Sequence, residues 1–508
     1  MRSEVDRSDV QGLVRTGFGQ MTQGCYYLLT ITDAAAARAW LRAVSDKINN
    51  AVGPSAKAPG DEWQIDCAMQ VAFTYQGLQK LGVPKDTESG FSVEFLSGMT
   101  GEKNRSRRLG DVGKDAPEGW AWGGPGNVPD VLVMLFSKGD LDRWKPAVKG
   151  ALWTEAFREL ACLDTGHLPG EVEPFGFKDG ISQPTVDWMQ MRQPPTEDLD
   201  FGNLIAAGEF LLGYQNEYKK FTERPLIDAK DDPKNILAAA DGEKGCRDFG
   251  LNGTYLVFRD LVQDVSGFWQ FLDKQANGDR EAREQLGAAF VGRTIEGQPL
   301  VPLSDTPIQG IDLDEAPHNR FTYDGDPAGR RCPIGSHVRR ANPRTADYPP
   351  GTKGLWKRLS SALGLKAPKP EEDLVSSARF HRILRRGREY GPLLTPDDAA
   401  KPGSGGGTER GLRFLCVNAN ISRQFEFVQQ AWVMGTKFAG LTEQSDPLLG
   451  NRSAVSGCLP TDTYAMPQEA GLARCITGIG QFVSVRGGAY FFLPSLRAIR
   501  YMASIQQR

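Results

Sequence analysis

Histidine is scarce in this chain. There are four in 508 residues, at His167, His318, His337 and His381. None stands in an HExxH string and no pair has zinc-like spacing, so a zinc hydrolase is disfavoured. GxxxxGK[ST] is also absent, and the glycines at Gly405 to Gly407 follow no strand, which makes them a poor phosphate cradle. The eight cysteines are scattered, with neither CxxC nor CxxCH. That excludes c-type haem attachment, and the sparseness argues against a disulfide scaffold. The expectation is reduced, mostly buried thiols in a cytoplasmic protein. No basic excess exists, since the formal charge is -3, so no nucleic-acid partner is expected. The strongest apolar runs, such as 131–136, fall far short of the roughly 20 residues a membrane span needs. The opening MRSEVDRSDVQG has acids and no apolar stretch, so neither a membrane association nor a secretory leader is expected.

What is present describes a globular α+β protein. Its length exceeds what one hydrophobic core usually serves. The run 25–32 reads as a strand, and Asp33 can cap a helix over 34–48. Further expected elements are a strand at 64–72, a short helix at 75–81, a strand within 128–137 and a helix over 138–152. Gln193 to Asp200 (QPPTEDLD) looks like a connection between domains, dividing the chain into 1–195 and 196–508. Beyond it, 209–214 and 253–260 read as strands, and 262–275 and 279–290 as helices. Later, 411–417 and 482–485 read as strands, and 422–434 as a helix. The segment 351–373 reads as a surface insertion, and KPGSGGG at 401–407 as a flexible loop.

Three strings carry candidate chemistry. In GFKDGISQP, Asp179 lies between glycines. Such an acid usually caps its own turn; alternatively, the glycines let backbone approach a flat ligand and hold one carboxylate over it. In CPIGSHVRRANPR, His337 precedes three arginines. This is either a cationic surface loop or an axial imidazole flanked by cations for two propionates. In HRILRRGREYG, strand alternation would set His381, Ile383 and Arg385 on one face. An inward charge needs a partner or a job, though a solvated surface strand explains the string equally well.

Taken together, the three strings resemble the dye-decolorizing peroxidase family. GFKDG is similar to its GxxDG motif, His337 to its proximal haem ligand and Arg385 to its distal arginine. Asp9-Val10-Gln11-Gly12-Leu13, GEFLLGY at 208–214 and GAYFFLPS at 488–495 extend the likeness over most of the chain. The length and the GEFLLGY string resemble the longer bacterial and fungal branch. The interval from His337 to Arg385 is longer than in compact members, which leaves the haem-access rim undefined.

The resemblance implies two ferredoxin-like domains, with antiparallel sheets flanked by helices in the dimeric α+β barrel manner. The GxxDG motif would fall in 1–195 and the haem in 196–508. It implies a non-covalent haem b on His337, bordered by Gly180, Ile181, Ser182, Arg340, Asn342, Arg344, Arg385, Leu412 and Phe414. Asp446 is nominated to hold the other ring nitrogen of His337; an Asp-Pro turn explains the same residue. Asp179 would move the peroxide proton, and Arg385, always protonated, would stabilise developing negative charge. Leu412 and Phe414 are equally compatible with ordinary strand core. The implied partners are hydrogen peroxide and an organic electron donor, for a monomer or homo-oligomer. Large dyes would react through a surface Trp or Tyr, which the 10 Trp and 12 Tyr do not single out. The alternative is a haem transport or iron-release protein, which would need His337 but not the Asp179 and Arg385 pair.

Overall fold

The computed structural model describes residues 4–53, 66–191, 203–303, 317–344, 378–453 and 461–506. The expected domain boundary near 195 and the insertion at 351–373 lie outside the described residues.

The first half follows a strand–helix–strand, strand–helix–strand order. Strand β1 is Gln23–Ile31, helix α1 Ala34–Val44, β2 Cys67–Phe73, β3 Val131–Ser137, α2 Ala151–Ala156 and β4 Phe157–Gly166. Asp33 starts α1 by accepting a hydrogen bond from the Ala36 amide, satisfying one of the donors a helix N-terminus leaves open. The strands lie in the order β4-β1-β3-β2, all antiparallel.

The second half repeats this arrangement. Strand β5 is Thr254–Gln263, α3 Val265–Gln275, α4 Arg280–Val291 and α5 His337–Ala341. Then come the short β6 Leu384–Arg385 and β7 Arg388–Tyr390, then β8 Gly411–Asn418, β9 Val483–Leu493 and α6 Leu496–Ser504. Strand β5 sits between β9 and β8, and β8 pairs β6 and β7. This is the ferredoxin-like order of the first half, so the expected α+β class holds. The two sheets join edge to edge into one ring. One seam is the pair Glu389↔Gly166 between β7 and β4, the other Phe492↔Phe73 between β9 and β2.

Alternation along the strands separates two faces. Tyr26, Leu28, Leu132, Met134, Leu256, Phe258, Leu415 and Val417 pack together on the inner face with the N-terminal residues Val5, Val10 and Leu13. The neighbouring positions point outward beneath helices, as Cys25, Tyr27 and Leu29 do beneath Trp40 and Leu41 of α1 and Ile499 of α6. A third cluster joins Leu261 and Val483 to Phe268, Trp269 and Phe290 of α3 and α4. That outer face of the second half carries the candidate site.

Several local expectations are corrected. The helix expected over 138–152 is broken into short pieces at 141–143, 145–148 and 151–156, because Gly139, Pro146 and Gly150 interrupt it. Strand β4 was not anticipated. The strand expected at 209–214 is instead a 3-10 turn at Ala207–Glu209 followed by loop, with the buried Glu209 carboxylate accepting from Arg423 at 2.6 Å. The segment 422–434 is helical, but wound as π turns. The thiols are not all reduced. Cys25 and Cys162 form a disulfide with Cα atoms 6.3 Å apart, because Tyr27 stands opposite Cys162 and Cys25 lies one same-face position along β1. Among the described residues, no helix is long and apolar enough to cross a membrane.

Candidate active site

A cavity of about 290 Å³ opens on the outer face of β5 and β8. Its walls combine apolar groups, among them Phe175, Phe177, Leu261, Val291, Val338, Leu412, Phe414 and Leu448, with a few convergent polar ones, the usual constitution of a cofactor pocket.

One wall is the loop after β4. The bridge between Val172 and Lys178 closes it, and the Asp179 amide donates to the Glu171 carbonyl at 3.0 Å. Gly176 and Gly180 have φ of 96° and 74°, left-handed values that favour glycine. The loop thereby directs Asp179 into the cavity. Arg385 of β6 meets it there, donating from Nη1 to Asp179 Oδ1 at 3.2 Å and from Nη2 to the Ser182 carbonyl at 3.3 Å. The Arg385 backbone is fixed by its amide donating to Gln183 Oε1 at 3.0 Å. Burial pushes the Asp179 carboxyl upward, but the Arg385 guanidinium and the Gly180 amide outweigh it and hold the group below the usual Asp value. The expected face shared by His381, Ile383 and Arg385 is not a strand face, since 378–381 is a 3-10 turn and β6 is two residues long. All three nevertheless line the cavity.

His337 begins α5 and lines the same cavity. Its Nδ1 lies 2.8 Å from Asp446 Oδ2. The other carboxylate oxygen accepts from the amides of Leu448 and Leu449, each at 2.9 Å, and Asp446 is fully buried. Burial favours neutral His337, yet the Asp446 charge and hydrogen bond prevail and raise its proton affinity; the same pairing lowers that of Asp446. With Nδ1 engaged, Nε2 has no hydrogen bond among the described residues and is the ring nitrogen left for a ligand.

The remaining expected residues divide. Ile181, Ser182, Asn342, Arg344, Leu412 and Phe414 line the cavity. Gly180 shapes it through backbone conformation. Arg340 is a correction. It is fully buried and turned from the cavity, donating to the carbonyls of Gly335, Trp432, Gly435 and Gln444. A guanidinium so enclosed is a structural cross-link. Arg293, which sequence reasoning missed, supplies a cavity cation instead. It donates to the Gly297 carbonyl and to Asn319 Oδ1 at 2.8 and 3.0 Å, close to Arg344, which donates to the Asn319 carbonyl at 3.0 Å. Glu173 was missed as well, although its place six positions before Asp179 marks it as a second acid of the loop.

The pocket suits a haem on its own chemistry. It offers one imidazole whose outer nitrogen is held by a carboxylate, apolar walls and several arginines, among them Arg293, Arg344 and Arg385. Among the described residues, the Asn342 side-chain oxygen, buried in the wall, has no partner.

Comparison with known proteins decides the family. No family model matches the chain. A dye-decolorizing peroxidase of Mycetinis scorodonius is 30% identical over 98% of this chain and 88% of its own length. A multifunctional dye peroxidase of Amycolatopsis sp. is 33% identical over 92% of this chain and 90% of its own. The chain belongs to the dye-decolorizing peroxidase family. It is accordingly a haem-dependent peroxidase, and the haem-transport alternative is not supported. An ancestral D-type dye-decolorizing peroxidase shares the fold at a TM-score of 0.70 and 26% identity, covering 99% of this chain and 100% of the other. A dye-decolorizing peroxidase solved with 2,6-dimethoxyphenol also shares it, with a TM-score of 0.69, 24% identity and coverage of 98% and 100%.

Proposed function

We propose that this dye-decolorizing peroxidase binds haem b non-covalently through His337 Nε2, with Asp179 and Arg385 acting on hydrogen peroxide. The observation that carries the reading is that His337, backed by the buried Asp446, shares one cavity with the Asp179 and Arg385 pair. Arg293 and Arg344 would meet the propionates, and Ile181, Ser182, Leu412 and Phe414 would contact the porphyrin or limit the space above it. The chemistry supplied by the bound haem is redox, acceptance of two oxidising equivalents from peroxide and their release one at a time.

The protein side of the reaction is proton handling and charge. Asp179, held ionised by Arg385, removes a proton from one peroxide oxygen and delivers it to the other, which leaves as water. Arg385 cannot act as base. Its guanidinium stabilises the negative charge that develops on the departing oxygen. Asp446 accepts from Nδ1–H of His337 and so fixes the tautomer that offers Nε2. Phenols of the 2,6-dimethoxyphenol kind and bulky dyes are the proposed donors.

The test is reconstitution of wild type and Asp179→Ala with haem. Both should show the same Soret band, and peroxide-driven dye oxidation should be lost only in the variant. Undiminished oxidation by Asp179→Ala would defeat the reading.

A further inference from the structure

Two segments distant in sequence build neighbouring parts of the cavity wall, and one side chain joins them. The loop after β4 brings Asp179, Ile181 and Ser182, and the chain after α4 brings Arg293. Asn319 stands behind this wall and is 3% exposed. Its Nδ2 donates to the Ile181 carbonyl at 2.6 Å, and its Oδ1 accepts from Arg293 Nη2 at 3.0 Å. We propose that Asn319 is a positioning residue that holds the loop of Asp179 in register with the cation Arg293.

The partners fix the direction of the amide. A guanidinium only donates and a backbone carbonyl only accepts, so Oδ1 must face Arg293 and Nδ2 must face Ile181. The group is planar, and a rotation that frees one bond breaks the other. Both ends of the link are themselves held. Arg293 is 5% exposed, its Nη1 donates to the Gly297 and His318 carbonyls at 2.8 and 3.2 Å, and its guanidinium lies 5.4 Å from the centre of the Phe321 ring. Arg344 lies over the same ring at 3.8 Å and donates to the Asn319 carbonyl at 3.0 Å. Asn319 is therefore engaged, through side chain and backbone, by both cations assigned above to the propionates. The loop docks on the same stretch at a second point, where the Lys178 amide donates to the Ile295 carbonyl at 2.9 Å. Close by, Gly297 has φ of 90°, and a Cβ there would lie 2.3 Å from Ile181 Cδ1. Asp179 thus sits between two anchors, Lys178 and Ile181, fastened to one stretch of chain.

The consequence for the reaction follows from geometry. Arg385 holds the Asp179 carboxylate and the Ser182 carbonyl, but those bonds set the acid relative to Arg385 alone. Asn319 sets it relative to Arg293, and so to the edge where a haem carboxylate would be seated. A misplacement of about 1 Å can lower a rate by about 10²-fold. With the Lys178 and Ser182 bonds still in place, loss of Asn319 should cost about tenfold in the reaction with peroxide. Asparagine is the side chain that serves both partners. Leucine offers neither bond. Aspartate keeps the shape and the acceptor for Arg293, but beside a guanidinium it stays ionised and has no donor for Ile181.

The inference rests on the proposed roles of Asp179 and Arg293, and the experiment tells its failure from theirs. The haem-loaded protein is followed by stopped-flow with peroxide, per bound haem, and the apo and loaded forms by hydrogen exchange of the amides at 178 and 179. In the wild type both amides should be protected; exchange at the rate of a free chain would overturn the proposal without any variant. Asn319→Leu and Asn319→Asp should each slow the reaction with peroxide about tenfold, leave KM for the dye unchanged and speed exchange of both amides. A wild-type peroxide rate in Asn319→Asp would show the bond to Ile181 to be idle and overturn the proposal. So would an Asn319→Leu variant that melts lower but keeps the wild-type rate and exchange, since Asn319 would then be packing alone. In the double variant with Arg293→Met the loss should fall short of the product of the single losses, because both break one link; a full product would count against the link. Wild-type turnover in Asp179→Ala would instead remove the catalytic role of the loop, and unchanged haem affinity in Arg293→Met would remove the cation edge. Either result would take the proposal with it, whatever the Asn319 variants did.

Discussion

Asp446 presents one oxygen to His337 Nδ1 at 2.8 Å and the other to two consecutive backbone amides. The carboxylate is thus held in place before any haem arrives, and it dictates which imidazole nitrogen carries the proton. Asparagine at this position can keep the amide bonds only by turning its NH2 toward Nδ1. The ring must then accept at Nδ1 and carry its proton on Nε2, the nitrogen proposed to bind iron. We expect Asp446→Asn to weaken haem binding by roughly 10–100-fold, read by Soret titration of the apoprotein. Unchanged affinity would show that the pair does not govern the tautomer.

Removing either distal group should cost rate in a characteristic amount. Asp179→Ala loses the proposed proton carrier, for which about 10²–10⁴-fold is typical. Arg385→Leu loses the charge proposed to meet the departing oxygen, typically about 10²–10³-fold in kcat. Stopped-flow measurement of the reaction with peroxide tests both. Because the pair acts as a unit, the double variant should be little worse than the more severe single one. Strict additivity would argue against a shared function.

The acid limb should lie low. Asp179 is held below the ordinary Asp value by Arg385, so it stays ionised where an imidazole base, near ~6.5, would be protonated. Oxidation of dyes and phenols should be faster at mildly acidic than at neutral pH. A steady-state profile with a neutral or alkaline optimum for every donor would contradict this.

Arg340 and Arg344 should part company when mutated. Arg340→Met strands four carbonyls, two of them on buried residues, and should cost about 3 kcal/mol of stability, read as a lower melting temperature of the apoprotein. Arg344 lines the cavity, and Arg344→Met should weaken haem binding more than Arg340→Met does once folded fractions are matched. The reverse order would restore Arg340 as the propionate partner.

Stability should also depend on pH in a stated direction. Burial raises Asp115 from 3.8 to about 6 and Glu173 from 4.5 to about 7. For an acid whose folded value is raised, the unfolded chain releases its proton first, so stability declines as pH rises from the unfolded value through the folded one. Melting temperatures of the apoprotein should therefore fall from pH 5 to 8, and Asp115→Asn should flatten the lower part of that slope. An unaltered slope in the variant would show that Asp115 does not titrate there.

The sequence made the chemistry more legible than the architecture. His337, Asp179, Arg385 and Asp446 lie in compact strings whose residue types have few other uses together. The arginines after His337 could not be told apart, because a five-residue helix gives too little periodicity to say which side chain turns to the cavity. GEFLLGY looked like a strand by composition. Its outcome was set by the left-handed Gly213 and by Arg423, 214 positions from Glu209. Strand β4 escaped notice because charged and exposed residues interrupt its apolar pattern. Ring closure was illegible for a different reason. Each seam rests on a single residue pair, Glu389 with Gly166 or Phe492 with Phe73, and no local pattern announces so small a contact.

The N-terminal residues give the barrel a stopper made from its own chain. Gln11 donates to the Val71 and Pro494 carbonyls, both at 2.9 Å, and Val10 and Leu13 are wholly enclosed. A clipped front end would therefore leave a hole among strands of both halves, and would strip Arg386, the neighbour of Arg385, of the Leu13, Val14 and Arg15 carbonyls to which it donates. Such damage would be felt both as loosened closure of the ring and as lost support for the short strand that carries Arg385.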